Sequence, residues 1–309
     1  MRVAVTGSSG LVGTALVARL RAGGHEVVRV RRGARADDGV AWLPDEGWIE
    51  DGAFEGSDAV VHLAGESIGD GRWTTRRKRA IRDSRIDSTR LLVEHMATLK
   101  QPPQVFVCGS AVGYYGDRGD QELDEGSGAG EGFLAGVVQD WEREAARAGQ
   151  FGTRVVSVRT AVVLAPRGGA LQRMLTPFRF GVGGRLGSGR QWMSWITLED
   201  EVCAIEWVLL HDDLSGPVNL AAPHPVTNRE FTKALGRQLT RPALFPAPSL
   251  ALRVMLGEMA EELLLQGQRV LPEKLLRSGF RFAHETVEEG LRAVLATPAG
   301  SREVAASSA

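Results

Sequence analysis

Residues 1–32 constrain the fold more than any other part of the chain. Arg2-Val3-Ala4-Val5 is an apolar run with strand character. Thr6-Gly7-Ser8-Ser9-Gly10-Leu11-Val12-Gly13 follows at once, and an apolar pattern at helical spacing then continues to Gly23-Gly24. A strand that turns through evenly spaced glycines into a helix is the opening of a βαβ unit. Gly7 lets the chain turn sharply off the strand, Gly10 lets the backbone approach a phosphate, and Gly13 lets the helix pack closely on the sheet. The helix start then offers unpaired N–H groups and a partial positive charge. A merely structural tight turn is the alternative, but a second strand pattern over 26–30 arrives on schedule. The segment therefore predicts a dinucleotide site at Thr6, Gly7, Ser9, Gly10, Leu11, Val12 and Gly13.

The end of the second strand selects the nucleotide. An acidic residue there would bind the adenosine ribose 2′-OH of NAD(H), whereas arginine accommodates the 2′-phosphate of NADP(H). Arg31 and Arg32 stand at this point. A guanidinium grips phosphate in a bidentate fork and stacks on adenine, so NADP(H) is favoured over NAD(H). A solvated basic turn competes with that reading, because the chain is generally arginine-rich and its lysines are only Lys78, Lys100, Lys233 and Lys274.

Beyond residue 32 the patterns alternate as a doubly wound α/β sheet requires. Buried strands are predicted over 59–65, 105–110 and 154–159, and helices over 76–100, with Ile81, Ile86, Leu91, Leu92 and Met96 at helical spacing, and over 133–147. A Gly- and Arg-rich loop is expected over 178–190, a proline-punctuated linker over 242–248, a long amphipathic helix over 249–265 and two short elements within 272–295. The predicted fold is a Rossmann-type parallel sheet with a small, mainly helical C-terminal domain on the substrate side. Its division is 1–240 for the nucleotide domain, with pocket-forming insertions near 166–195, then 241–296, then a disordered tail over 297–309.

Composition removes several function classes. At 309 residues the chain can bury a substantial core, and a net charge of -1 argues against nucleic acid or an anionic membrane as partner. Cys108 and Cys203 are the only cysteines, too few for a zinc cluster or a disulfide scaffold. No run approaches the roughly twenty apolar residues of a membrane span, and no targeting pattern is present. A cytoplasmic location, a small-molecule substrate and a capacity to oligomerise are expected, with no metal.

Thr6 to Gly13, the strand ending Ala64-Gly65, the Gly109-Ser110-Ala111 strand end and the strand ending at Arg159 together resemble the extended short-chain dehydrogenase/reductases. Ala64-Gly65-Glu66-Ser67-Ile68, Gly71-Arg72-Trp73, Ser84-Arg85, Asp140-Trp141-Glu142, Gln191 with Ser194-Trp195-Ile196, Leu256-Gly257-Glu258, Gln268-Arg269-Val270 with Pro272, and Gly279-Phe280 resemble an epimerase-like subfamily of that group, sometimes described as cell division inhibitor-like. The resemblance spans about residues 1–295. It implies an NADP(H)-binding Rossmann domain, a small C-terminal domain, and cofactor contacts from Leu63, Ala64, Gly65, Glu66 and Arg159.

In an active member of that superfamily a Tyr-x-x-x-Lys pair supplies the acid and base. This chain has only Tyr114 and Tyr115 and no such pair; the corresponding positions fall near Leu134 and Val138, both apolar. Ser110 matches the superfamily serine, whose hydroxyl would bond a substrate carbonyl and stabilise oxyanion charge; a polar strand end capping a turn is the competing reading. Tyr114 and Tyr115 are candidate proton donors or packing residues. Glu66 could bind a ribose hydroxyl, act as a base or cap a helix. Arg72 and Trp73, with Arg76, Arg77 and Arg79 nearby, suit an anionic substrate or form a solvated face, and Arg185, Gln191 and Trp195 are expected on the opposite pocket wall. His62 reads as a structural or near-cofactor histidine, Trp141 as core, and Asp200 as a helix cap or pin. Two functions fit: an NADP(H)-dependent oxidoreductase or epimerase-like enzyme acting on a small carbonyl or alcohol, or a catalytically silent NADP(H) sensor or scaffold, which the missing Tyr-x-x-x-Lys favours.

Overall fold

The computed structural model describes residues 1–33 and 39–296; the predicted tail over 297–309 lies outside them. Along the chain, β1 (Arg2–Thr6) and α1 (Leu11–Ala22) lead to β2 (Glu26–Arg32), β3 (Val40–Leu43), β4 (Trp48–Ile49) and β5 (Ala59–His62). Next come α2 (Thr75–Thr98), β6 (Val105–Ala111), β7 (Glu122–Leu123), α3 (Phe133–Ala146), β8 (Arg154–Thr160) and β9 (Val162–Leu164). The chain continues through α4 (Gly169–Arg179), β10 (Trp192–Met193), β11 (Trp195–Thr197), α5 (Leu198–Leu210), β12 (Gly216–Leu220), β13 (Val226–Thr227) and α6 (Asn228–Gln238). It ends with α7 (Ser249–Leu256), α8 (Glu258–Ala260), β14 (Arg269–Val270), α9 (Glu273–Arg277) and α10 (Val287–Ala296).

Eight of these strands form one sheet in the order β12-β8-β6-β5-β1-β2-β3-β4. All pairings are parallel except β3 with β4 at the edge. Strand side chains alternate between faces. Accordingly Val3 and Val5 of β1 join Leu16 and Leu20 of α1 and Ile205 and Val208 of α5, while Ala4 joins Ile86, Leu92 and Met96 of α2 and Trp141 of α3. The sheet is therefore covered on both sides, which is why its strands read as nearly continuous apolar runs. Strand order reverses between β1 and β5, and this switch point opens a crevice beyond the C-terminal ends of the strands.

A third core is drawn from Leu164, Leu171, Leu175, Trp195, Phe231, Leu235 and Leu291. Part of the segment expected as a separate C-terminal domain thus packs with residues before 241. Asp200 pins it: its carboxylate accepts from the backbone N–H of Ala283 (2.7 Å) and of His284 (3.2 Å), and from the Thr197 hydroxyl (2.8 Å). The helix expected over 249–265 is interrupted. Gly257 takes φ +63°, and a Cβ there would lie 3.2 Å from Arg72 Nε, so α7 stops and the chain restarts as α8 and a π turn over Glu261–Leu265. No helix among the described residues is long and apolar enough to cross a membrane.

Candidate functional site

The glycine turn is backbone packed on backbone. Gly7 has φ +65°, and a Cβ on it would lie 2.7 Å from the Leu63 carbonyl carbon; a Cβ on Gly13 would lie 2.1 Å from the Gly7 oxygen. Gly13 thus serves contact between α1 and the turn itself. At Gly10 a Cβ would meet only the Gly7 oxygen, at 3.2 Å, and the outward side is open. No side chain caps α1 and its first turn holds no acidic residue, so its leading N–H groups lie open to an anion. Leu11 turns its side chain toward Gly168 and Gly169, Val12 packs on the α5-side core, and Ser9 is exposed. Thr6 departs from expectation. Its hydroxyl is fully buried and bonded to His62 Nδ1 at 2.7 Å, so its side chain serves the strand ends and not a ligand. Burial, aided by the charge of Arg85, pushes His62 down to about 3, and its Nε2 faces Ser88 Oγ at 3.2 Å.

At the end of β2, Arg31 is half-buried and Arg32 exposed. Arg32 Nη1 stands 3.9 Å from one Glu66 carboxylate oxygen, and Arg77 Nη1 stands 3.1 Å from the other. Glu66 thereby spans the crevice from the β2 end to α2. It is no helix cap, since Thr74 caps α2; its own N–H donates to Ser84 Oγ at 3.0 Å. Leu63 and Ala64 back the Gly7 turn, and Gly65 lies against the Arg85 guanidinium.

The second half of the site is a row made by strand register. Parallel pairing aligns Ser110 of β6 with Arg159 of β8, and Arg159 with Asn219 of β12. Glu142 of α3 reaches into this row. Arg159 donates to it through Nε and Nη2, both at 2.8 Å, and Ser110 Oγ donates at 2.6 Å. Arg159 Nη1 donates to the Tyr115 hydroxyl at 2.9 Å, which in turn donates to Asn219 Oδ1 at 2.7 Å. Burial opposes the Arg159 charge, but the hydrogen bonds and charge of Glu142 outweigh it and raise its pKa above the usual guanidinium value. Three expectations change here. Arg159, 2% exposed, spends its donors on Glu142 and Tyr115, so its guanidinium is turned to the core instead of being offered to the crevice. Tyr115 is fully buried, its phenol pushed up to about 12 by that burial, so it is a core residue. Ser110 commits its proton to Glu142 and offers only lone pairs, so it can accept from a substrate hydroxyl but not donate into a carbonyl. Tyr114 is half-buried, with its ring stacked on the Arg159 guanidinium at 3.4 Å.

The expected substrate residues are mostly structural. Trp73 is 8% exposed, donates to the Ile68 carbonyl and packs edge-on to Phe133. Trp195 is fully buried and donates to the His224 carbonyl. Arg185 bonds the Ser188 carbonyl within its own loop, and Gln191 ties that loop together and to Leu264. Arg72 alone of this set is exposed, beside Gly257. An open cavity of about 490 Å³ lies near Tyr114, lined by Arg118, Gly130, Glu258, Glu261 and Gln266; Gly130 N–H bonds the Tyr114 carbonyl. Sequence reasoning assigned no role to Glu142, Asn219 or Arg85. Asp140-Trp141-Glu142 and Ser84-Arg85 stood out only as parts of a resemblance.

Comparison with known proteins agrees with this geometry. The model of the NAD dependent epimerase/dehydratase family matches residues 3–221, and that of a domain of unknown function, DUF1731, matches residues 247–294. The epimerase family protein Mb2239 of Mycobacterium bovis is 49% identical over 290 residues, covering 94% of this chain and 96% of the relative. The crystal structure of the human epimerase family protein SDR39U1 (isoform 2) with NADPH superposes with a TM-score of 0.87 at 35% identity, covering 96% of this chain and 99% of that one. The UDP-glucose 4-epimerase of Thermus thermophilus in complex with NAD shares the fold at 18% identity, with a TM-score of 0.75 and coverage of 96% and 98%. The switch-point crevice, its glycine turn and these likenesses make the chain a member of the NAD dependent epimerase/dehydratase family.

Proposed function

We propose that this protein is an NADP(H)-dependent oxidoreductase or epimerase-like enzyme acting on a small carbonyl or alcohol, with Tyr114 handling the proton. The observation that carries the cofactor reading is the open, uncapped start of α1 beside a turn that tolerates no Cβ at Gly7 or Gly13, with two arginines one strand away. These residues fit a dinucleotide. Gly7, Ser9, Gly10, Leu11, Val12 and Gly13 would hold its pyrophosphate by backbone N–H groups, Arg31 and Arg32 its 2′-phosphate, and Leu63, Ala64 and Gly65 would floor the crevice. Glu66 would accept from a ribose hydroxyl. When bound, the nicotinamide supplies or accepts a hydride.

This chain's residues then manage the oxygen. Ser110 Oγ accepts a hydrogen bond from a substrate hydroxyl beside the reacting carbon, not the one that loses its proton, while Glu142 fixes the Ser110 rotamer. In reduction the Tyr114 phenol gives its proton to the carbonyl oxygen, in oxidation its phenolate takes the alcohol proton, and the guanidinium stacked on its ring lies beside the charge that develops. Arg72 is the exposed cation available to an anionic substrate. The test is to incubate the protein with NADPH carrying deuterium at C4 and a metabolite extract, and to search for a labelled product by mass spectrometry. A labelled metabolite supports hydride transfer and identifies the substrate. Tight NADPH binding with no label leaving or exchanging at C4 in any extract would overturn net hydride transfer to a released product and leave a sensor, or an epimerase cycle that returns its hydride to the same substrate.

A further inference from the structure

The proton-handling residues leave one half-buried cation unused. The side chain of Arg85, on α2, makes a single hydrogen bond among the described residues, from Nη1 to the Ile81 carbonyl at 2.9 Å, and has no carboxylate in ion-pair contact. Its guanidinium stands over the Trp141 ring, 5.3 Å from the centroid. It also presses on the chain just past β5: a Cβ on Gly65 would lie 3.3 Å from its Cζ and 3.4 Å from Nη2. Burial pushes its pKa down to about 10, with Glu66 opposing and Arg77 adding to the fall.

A guanidinium has N–H donors at all three nitrogens. Most of these donors have no partner among the described residues, so they are available to an anionic ligand. The location names the ligand. A dinucleotide in this fold lies across the switch point, its adenosine over β2 and its nicotinamide half over the far strands. Gly65 lies three residues past β5, and Trp141, beneath Arg85, touches Gly109 of β6 and precedes Glu142, which holds Ser110. Arg85 is therefore on the nicotinamide side of the glycine turn. The neighbouring helix offers no cation there, because Val138, one turn before Trp141, is 3% exposed and apolar.

We propose that Arg85 is the cation that grips the nicotinamide-side ribose phosphate of the dinucleotide. The inference rests on the cofactor assignment made above. Its readout is binding. Dissociation constants for NADPH and for 2′,5′-ADP, which lacks the nicotinamide half, are measured on the wild type, Arg85→Met, Arg85→Gln and Arg85→Lys. The neutral variants are expected to bind NADPH about tenfold to a hundredfold more weakly while 2′,5′-ADP stays within about threefold, and Arg85→Lys should recover much of the loss. Circular dichroism identifies any variant that fails to fold, and the other neutral variant then gives the comparison. Unchanged NADPH binding in a folded neutral variant overturns the role, and so does a parallel loss of both ligands. A wild type that binds neither ligand overturns the cofactor assignment itself.

Discussion

Glu201 provides a stringent test of the packing beneath the site. It sits in the first turn of α5, 1% exposed, with Oε1 accepting from Thr160 Oγ1 at 2.8 Å and Oε2 without a partner among the described residues. Burial is the main influence and pushes its carboxyl up to about 8, with the Thr160 hydrogen bond working the other way. A rise from the ordinary 4.5 to about 8 corresponds to roughly 5 kcal/mol as an upper bound. Between those two pH values the folded chain holds a proton here that the unfolded chain has released, so stability is full below about pH 4.5 and falls as pH rises toward 8. His62 acts in the opposite sense. Its imidazole, lowered from 6.5 to about 3 by burial, makes stability fall as pH drops from 6.5 toward 3. The two contributions offset one another between about pH 4.5 and 6.5, and Glu201 acts without His62 above 6.5. Urea unfolding of the wild type and Glu201→Gln, measured across this range, isolates the carboxyl. The variant should gain on the wild type by about 2 to 4 kcal/mol in going from pH 5 to pH 9. Parallel profiles for the two proteins would refute the argument.

Other outcomes follow from the site geometry. Replacing both Arg31 and Arg32 by alanine should weaken NADPH by roughly 1 to 3 kcal/mol in calorimetric titration and leave NADH little changed; equal losses would sink the 2′-phosphate assignment. Tyr114→Phe should lower turnover of a discovered substrate by about 10²- to 10⁴-fold with the fold intact, whereas Tyr115→Phe should cost about 1 to 3 kcal/mol of stability by unpairing Asn219 and Arg159. If turnover responds to Tyr115 and not Tyr114, the proton assignment is wrong. Glu142→Ala strips the buried Arg159 of its bidentate partner and should destabilise by about 3 to 5 kcal/mol in chemical denaturation; a change under about 1 kcal/mol would show that the pair is not the anchor described. Gly10→Val should fold, because its Cβ meets only one atom at 3.2 Å, yet lose dinucleotide binding. Normal binding in that variant contradicts the approach of phosphate to this turn.

The parts of this structure legible in the sequence are those written locally. The glycine turn, the buried strands and the helices α2 and α3 are visible because alternation, helical spacing and glycine all act over a few residues. The break at Gly257 has a local signal, the glycine itself, which caps α7 at φ +63° and which a continuous helix over 249–265 passes over. Tyr114 and Tyr115 were inseparable in sequence: adjacent side chains point in different directions, and only the fold decides which one is bonded to Asn219 in the core. Trp73 and Trp195, expected to face substrate, were drawn into cores because their large apolar surface gains most from burial. Glu142 and Arg85 carry no local signal, their partners being residues on other elements.

The apolar character of α3 and the charges on its neighbours belong to one rearrangement. A lysine at Val138 would be desolvated among Ala135, Val137 and Trp141, all nearly buried, and its charge would need an anion always present. Arg159 instead enters by strand pairing, which aligns it with Ser110 on one side and Asn219 on the other without help from any loop. Glu142 then neutralises Arg159 and orients Ser110, leaving the guanidinium face for the Tyr114 ring. Tyr114 sits in a 3-10 turn, Val112–Tyr115, directly after β6, and that turn is held by the Gly130 N–H on the Tyr114 carbonyl. The proton site thus depends on sheet register more than on loop conformation. A substitution that shifts β8 against β6 would therefore disable it even where the dinucleotide crevice, built on β1, β2 and β5, stays intact.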